Sequence, residues 1–397
     1  MKVWKVGGAV RDALLGRPCG DTDWVVTGAT PEQMVAAGYT PVGRDFPVFL
    51  HPTTKEEYAL ARTERSTAPG YHGFVFHTAP DVTLEQDLQR RDLTVNAMAV
   101  DADGTLIDPY GGQRDVAARL LRHVSAAFAE DPVRILRVAR FAARFDDFSV
   151  AAETAHLMRQ MVDAGEADAL VAERVWQELS RGLMESHPSR MLDVLHDCGA
   201  LARLLPEVDA HWRATSGVAT LRQVHLRHAL DAAAHRGAAL AVRFAILTHR
   251  LESMHACDAP AALLALCERW RIPTDCRELA ELLLRERQAV QHSAAMDAEA
   301  LVGLLDSADA WRRPERFELL LQACDIIERA QAEDDDGPQV RSPCRLRSAL
   351  KRASALDTSA IAQRASATGA RGPAIGAAIH QARVLAVEDE LSDEMND

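Results

Sequence analysis

No apolar run in this 397-residue chain approaches the roughly 18 residues that a membrane-spanning helix requires, which excludes a helical span. Aromatic residues are scarce, at 5%. The seven cysteines, at 19, 198, 257, 267, 276, 324 and 344, are odd in number and scattered. None forms a Cys-x-x-Cys pair, so neither a disulfide framework nor a zinc ribbon is indicated. The N-terminus, Met1-Lys2-Val3-Trp4-Lys5-Val6, has no apolar signal region, and the chain is expected to stay in the cytoplasm. No fixed-period repeat is present. Net positive charge is lacking too: 45 Lys+Arg against 58 Asp+Glu leave −13, which argues against indiscriminate nucleic-acid binding.

The composition, 48% hydrophobic and 26% charged, is that of a globular protein with enough material for several domains. The charge is uneven. Residues 341–383 hold eight basic residues and one acidic, whereas 387–397 hold six acidic and none basic. The basic stretch suits a polyanion and equally suits a solvated helical face.

Residues 1–128 read as mixed α and β. Val3–Val6, Trp24–Thr27, Val48–His51 and Tyr58–Thr63 have strand length and composition. Asn96–Val100 and Thr105–Ile107 flank the turn Asp101-Ala102-Asp103-Gly104, a hairpin signal. Val10–Leu15 and Pro31–Ala37 are helical patches. Asp131 as capping residue and Pro132 in the first turn open a helix to about Phe145. Apolar spacings of three and four then dominate to about Ala330, and the acidic run at 332–338 reads as a linker.

Three clusters carry chemistry. Asp21-Thr22-Asp23 opens a predicted strand, where residues i and i+2 share a face, so two carboxylates can converge on a hard cation. Gly7-Gly8 lies between a strand and a helix bearing Arg11 and Asp12, a place where backbone N–H groups meet phosphates. Arg90-Arg91-Asp92 precedes Asn96; adjacent arginines suit phosphate or RNA, and Asp92 suits either holding one of them or capping the next helix. Arg134, Arg137, Arg140 and Arg144 follow at spacings of three, three and four, a one-sided stripe that repels itself unless anions lie opposite.

The ordered set Val6-Gly-Gly-Ala-Val-Arg-Asp12, Asp21-x-Asp23, Arg90-Arg-Asp-Leu-Thr-Val-Asn-Ala97, Glu130-Asp-Pro-Val-Arg134 and Glu173-Arg-Val-Trp-Gln-Glu-Leu179 resembles the class II tRNA nucleotidyltransferases, the CCA-adding enzymes of the polymerase β superfamily. Gly43-Arg-Asp-Phe-Pro47 and Tyr58-Ala-Leu-Ala-Arg-Thr-Glu-Arg65 fit the bacterial group. The resemblance is dense over 1–200 and thinner to about 330. It implies an α+β chain: a mixed-sheet nucleotidyltransferase head (1–128), polymerase β-like, followed by an all-α neck (129–200), body (201–331) and a linker and tail (332–397).

The resemblance also implies roles. Asp21 and Asp23 would hold Mg2+, with Mn2+ able to substitute, and Glu64 is a candidate third carboxylate. Gly8 and Arg11 would contact the triphosphate of ATP or CTP. Arg91 would bind the nucleotide, with Asp92 and Asn96 near its ribose. Asp131 and Arg134 match the protein template for the base, Arg137 and Arg140 complete the pocket, and Glu173 and Arg174 steady the template helix. The partner is tRNA, with Arg341, Arg345, Arg347, Lys351, Arg352, Arg364, Arg371 and Arg383 candidates for holding it. No membrane association and a monomer are expected.

Many relatives carry a metal-dependent HD phosphohydrolase domain, which needs a His-Asp pair. Here His249 is followed by Arg250. A cation in a ligand's place opposes metal binding, so that activity is expected to be absent and His225, His228 and His249 to be packing or surface residues. A bacterial poly(A) polymerase, a partial CC- or A-adding enzyme and a noncatalytic RNA-binding relative are the alternatives. The intact Asp21 and Asp23 speak against the last.

Overall fold

The computed structural model describes the chain except residues 19, 21, 43–47, 67–73, 213–217, 252–258, 333–340 and 395–397 and the side chains of 64–66, 74–76, 211, 218–224, 341–342 and 390–394. It divides into two compact units, 1–213 and 214–397.

The first unit begins with β1 (Lys2–Val6), α1 (Gly8–Leu14), β2 (Asp23–Thr27), α2 (Pro31–Ala36), β3 (Thr40–Val42), β4 (Val48–Leu50) and β5 (Glu57–Leu60). A separate antiparallel hairpin follows, β6 (Thr63–Ser66) with β7 (Phe74–His77), then α3 (Leu84–Gln89) and the short pair β8 (Ala99–Val100) and β9 (Leu106–Ile107). The main sheet runs β3-β4-β5-β2-β1-β8-β9. Only the β2–β5 pair within it is parallel, so the sheet is mixed, as expected.

Alternation along β2 sends Val25 and Val26 to opposite faces. Val25 joins Val6, Leu84, Leu88 and Ala97 in one cluster, and Val26 joins Met34, Phe49, Tyr58 and Leu60 in another. Capping boxes at Thr30/Gln33 and Thr83/Gln86 fix the starts of α2 and α3. The stretch Tyr58–Thr63, read from sequence as one strand, breaks at Ala61–Arg62 and becomes the end of β5 and the start of β6. The carbonyl of Arg62 accepts a hydrogen bond from Arg90 Nε there, and its N–H donates to Asp87. The 101–104 turn forms as read, with the Asp101 N–H and the Thr105 carbonyl closing it.

After α4 (Gly112–Ala117), helices take over: α5 (Val133–Arg144), α6 (Ala152–Asp163), α7 (Ala172–Leu183) and α8 (Pro188–Asp197). A Cβ on Gly112 would overlap the Thr94 carbonyl oxygen, so that position tolerates no side chain. In α5, Ile135, Val138, Ala139 and Ala142 are buried and pack toward α7 and α8.

The second unit is helical throughout its described residues. Phe244, Leu283, Leu320 and Ile327, from helices at 240–248, 274–292 and 314–332, lie in its core. Helices at 341–354, 358–367 and 373–394 follow. Nearly all of the acidic run at 332–338 lies outside the described residues.

Candidate nucleotide and metal site

The residues singled out in the first unit converge on one cavity of about 660 Å³. Its floor is the β1–α1 turn. Gly7 has φ 70°, and a Cβ there would sit 3.0 Å from Arg91 Nη1 and 3.9 Å from Asp23 Oδ2. Glycine therefore serves both the positive-φ backbone and the close approach of the Arg91 guanidinium.

Asp23 is the first residue of β2, exposed, with no side-chain hydrogen bond or ion pair among the described residues. The parallel register pairs Trp24 with Tyr58, which brings Glu57 of β5 beside Asp23 on the same face. Both carboxylates line the cavity. Asp21 and the Glu64 side chain lie outside the described residues. The described strand β2 starts at Asp23. The sequence reading missed Glu57, since only the β2–β5 register reveals it. A bare pair of carboxylates at a solvent-open mouth fits a hard divalent cation, which takes oxygen donors and keeps several waters.

The arginine stripe is less available than its spacing suggests. The anions opposite it come from this chain. Arg137 Nε donates to Asp92 at 2.7 Å, Arg140 Nε to Glu178 at 2.6 Å and Arg144 Nη2 to Asp12 at 3.0 Å. Arg134 is buried and donates to the carbonyls of Ala127 and Arg90 at 2.7 and 2.8 Å. All four guanidinium groups still line the cavity. Asp131 accepts a bidentate pair from Arg174 at 3.0 and 2.8 Å and caps α5 through the Val133 N–H at 3.1 Å. The capping role is the one read from sequence. The Arg174 fork is what ties α7 to the start of α5.

Arg11 departs further from its expected role. It is 2% exposed, donates to Asp12 and Asn96, and faces the rings of Phe141 and Phe145 at 5.3 and 4.8 Å. Its guanidinium holds α1 against α5, with its donors engaged inside the protein. Asp92 holds Arg137, and neither Arg90 nor Arg91. Those two share the buried Asp87, which sequence reading did not single out. Arg91 keeps a buried Nε with no acceptor among the described residues, while the residue itself lines the cavity. Asp92 and Asn96 line the cavity, but the Asp92 carboxylate also takes the N–H groups of Asn96 and Leu93.

Burial raises the pKa of Asp92, but Arg137, Asn96 and the Leu93 N–H outweigh it and hold the group well below the usual carboxylate range. A depressed pKa contributes stability that is present above the unfolded-state value, about 3.9, and is lost as pH falls through the folded-state value. Asp92→Asn should cost about 3 kcal/mol at pH 7. The low end of the buried-pair range applies because Arg137 also lies 3.8 Å from Glu178. Urea midpoints of the first unit at pH 7 and pH 3 check this: the gap between wild type and variant should narrow at the lower pH.

The second unit tests the tail and histidine expectations. Arg345 donates to the carbonyls of Ala294 and Met296, Arg347 pairs with Glu318, and Arg383 covers Trp311 at 3.9 Å. These three cations hold the fold, whereas Lys351, Arg352, Arg364 and Arg371 are exposed. The Arg341 side chain is outside the described residues. His249 is buried, its Nδ1 2.6 Å from the Ile246 carbonyl; His228 is exposed and His225 half-buried.

Residues 3–122 match the family model "Poly A polymerase head domain", and 147–211 match "Probable RNA and SrmB- binding site of polymerase A". A relative from Leptothrix cholodnii named "Multifunctional CCA protein" is 59% identical over 406 residues, 98% of this chain and 97% of its own. One from Burkholderia cenocepacia with the same name is 55% identical over 414 residues, 99% of both chains. Among solved structures, the Bacillus stearothermophilus CCA-adding enzyme in complex with CTP matches with a TM-score of 0.70 and 25% identity, covering 98% of this chain and 89% of that one. A CCA-adding enzyme in apo form II matches with a TM-score of 0.68 and 21% identity, over 99% and 92%.

Proposed function

Since the chain belongs to the bacterial CCA-adding enzymes and adds the 3′-terminal CCA of tRNA from CTP and ATP, we propose that the first-unit cavity performs this reaction with the following division of roles. The observation that carries the assignment is the pairing of Asp23 with Glu57 at a cavity where, among the described residues, ten arginines face five carboxylates. That excess of cations suits a triphosphate and an RNA end.

Asp23, with Asp21 and the neighbouring Glu57, presents the oxygens for magnesium. A divalent cation bound there supplies positive charge at the α-phosphate and favours loss of the proton from the attacking hydroxyl. The tRNA 3′-oxygen attacks the α-phosphorus in line; the bond to the bridging oxygen breaks and diphosphate leaves. Gly8 N–H at the start of α1 and the Arg91 guanidinium orient the triphosphate. Arg11 acts through position, keeping α1 on α5.

The base is read by polarity. Cytosine offers an amino donor at N4 beside an acceptor at N3; adenine offers the same order at N6 and N1. The Asp131 carboxylate accepts from the amino group and the Arg134 guanidinium donates to the ring nitrogen. Uracil and guanine reverse that order and leave buried polar groups unpaired. Arg137 and Arg140, each already neutralised, shape the pocket wall.

The finer assignments follow from the same residues. Head, neck, body and tail divide at about 128, 200 and 331. The four exposed tail cations bind tRNA phosphates. The buried His249 followed by Arg250 leaves the second unit without phosphohydrolase activity. The enzyme works as a monomer in the cytoplasm. A tRNA lacking its terminal CCA, incubated with Mg2+, labelled CTP and ATP, should be extended by CCA, as read by product sequencing. Extension that stops at CC, or begins only from a CC end, would overturn full CCA addition.

A further inference from the structure

Nine of the ten described arginines that line the cavity already contact protein groups, and Arg181 is the one that does not. It is exposed in the last turn of α7, with no side-chain hydrogen bond or ion pair among the described residues. Arg174, Gln177, Glu178 and Arg181 fall at i, i+3, i+4 and i+7 of α7, and all four line the cavity. That face is thus the wall itself. Along it, Arg174 is engaged by Asp131 and Glu178 by Arg140, so the wall's own charges close on each other up to Arg181. Seven residues of helix place Arg181 about 10 Å along the axis from Arg174. It therefore stands well beyond the base-reading end.

We propose that Arg181 binds a phosphate oxygen of a substrate, completing the wall of α7 as a strip that reads the base with its first turn and holds phosphate with its last. This rests on the nucleotidyl-transfer reading of the cavity and adds a substrate contact to it. No sequence motif marks position 181. Its signal is spatial: a cation facing a polyanion site with no carboxylate paired to it among the described residues. Two sources supply the same chemistry, the triphosphate of CTP or ATP and the phosphodiester backbone of the tRNA 3′ end. A guanidinium meets either through paired N–H donors.

The test uses the full chain with Arg181→Gln and Arg181→Lys, in which the exposed site leaves folding intact. Steady-state kinetics are measured with CTP varied at saturating tRNA and with tRNA varied at saturating CTP. If the contact is to the triphosphate, the Gln variant raises KM for CTP about 3- to 10-fold and weakens inhibition by tripolyphosphate equally, with KM for tRNA unchanged. If the contact is to RNA, KM for tRNA rises by that factor and the slope of log binding against log salt falls by about 0.7, the value for one phosphate on a single strand. Under either source the Lys variant recovers part of the loss, because it keeps the charge. Unchanged KM for both substrates overturns the proposal. Asp23→Asn, assayed alongside, separates this from failure of the underlying reading. If that variant remains fully active, the cavity is not the transfer site and Arg181 loses its context.

Discussion

Asp23→Asn is expected to lower nucleotide incorporation by about a thousandfold or more while the Kd for tRNA stays within about twofold. Asn keeps the shape of the side chain and removes its charge. The exposed Asp23 has no partner in the described structure, so the change breaks no internal contact and leaves folding intact. Any loss then belongs to the reaction. The turnover of labelled CTP on a tRNA lacking its CCA end measures the first quantity, and filter binding the second. Glu57→Gln, the neighbour across the β2–β5 ladder, should lower turnover in the same direction. Wild-type turnover in Asp23→Asn would remove the carboxylate assignment altogether.

Asp131→Ala should collapse the preference for CTP over UTP. A site built to accept a hydrogen bond from an amino group rejects the reversed polarity because buried groups go unpaired, and discrimination of this kind reaches about 10⁴–10⁵. Without the carboxylate, kcat/KM for CTP should fall about a hundredfold, and the CTP-to-UTP ratio should shrink to within about tenfold. The same substitution releases Arg174 and removes the α5 cap, so a loss in stability of about 1 kcal/mol accompanies it. Arg174→Ala isolates that structural share: it unties Asp131 but leaves the acceptor in place, so CTP preference should survive in it. If UTP remains excluded in Asp131→Ala, base choice resides elsewhere.

The sequence makes some of this site legible and hides the rest for a physical reason. Local signals are readable. Gly7-Gly8 at a strand–helix turn, the cap at Asp131 and the helical spacing of Arg134, Arg137, Arg140 and Arg144 each depend on neighbours a few residues away. The partners of those arginines do not. Asp12 meets Arg144 across 132 residues, Asp92 meets Arg137 across 45, and Glu178 meets Arg140 across 38. No periodicity encodes such pairings, so the stripe looks like a bare cationic surface when it is a largely neutralised wall. Glu57 was hidden similarly, since a parallel ladder joins residues that are distant in the chain. The break between β5 and β6 was hidden because no glycine or proline marks it, while the backbone turns at Arg62 to meet Arg90 and Asp87.

The short helix after the glycine turn is joined to α5 twice, by Arg11 lodged against Phe141 and Phe145 and by Asp12 gripping Arg144. The glycine turn and the arginine-bearing helix are therefore mounted on one frame, so a shift of either carries the other with it.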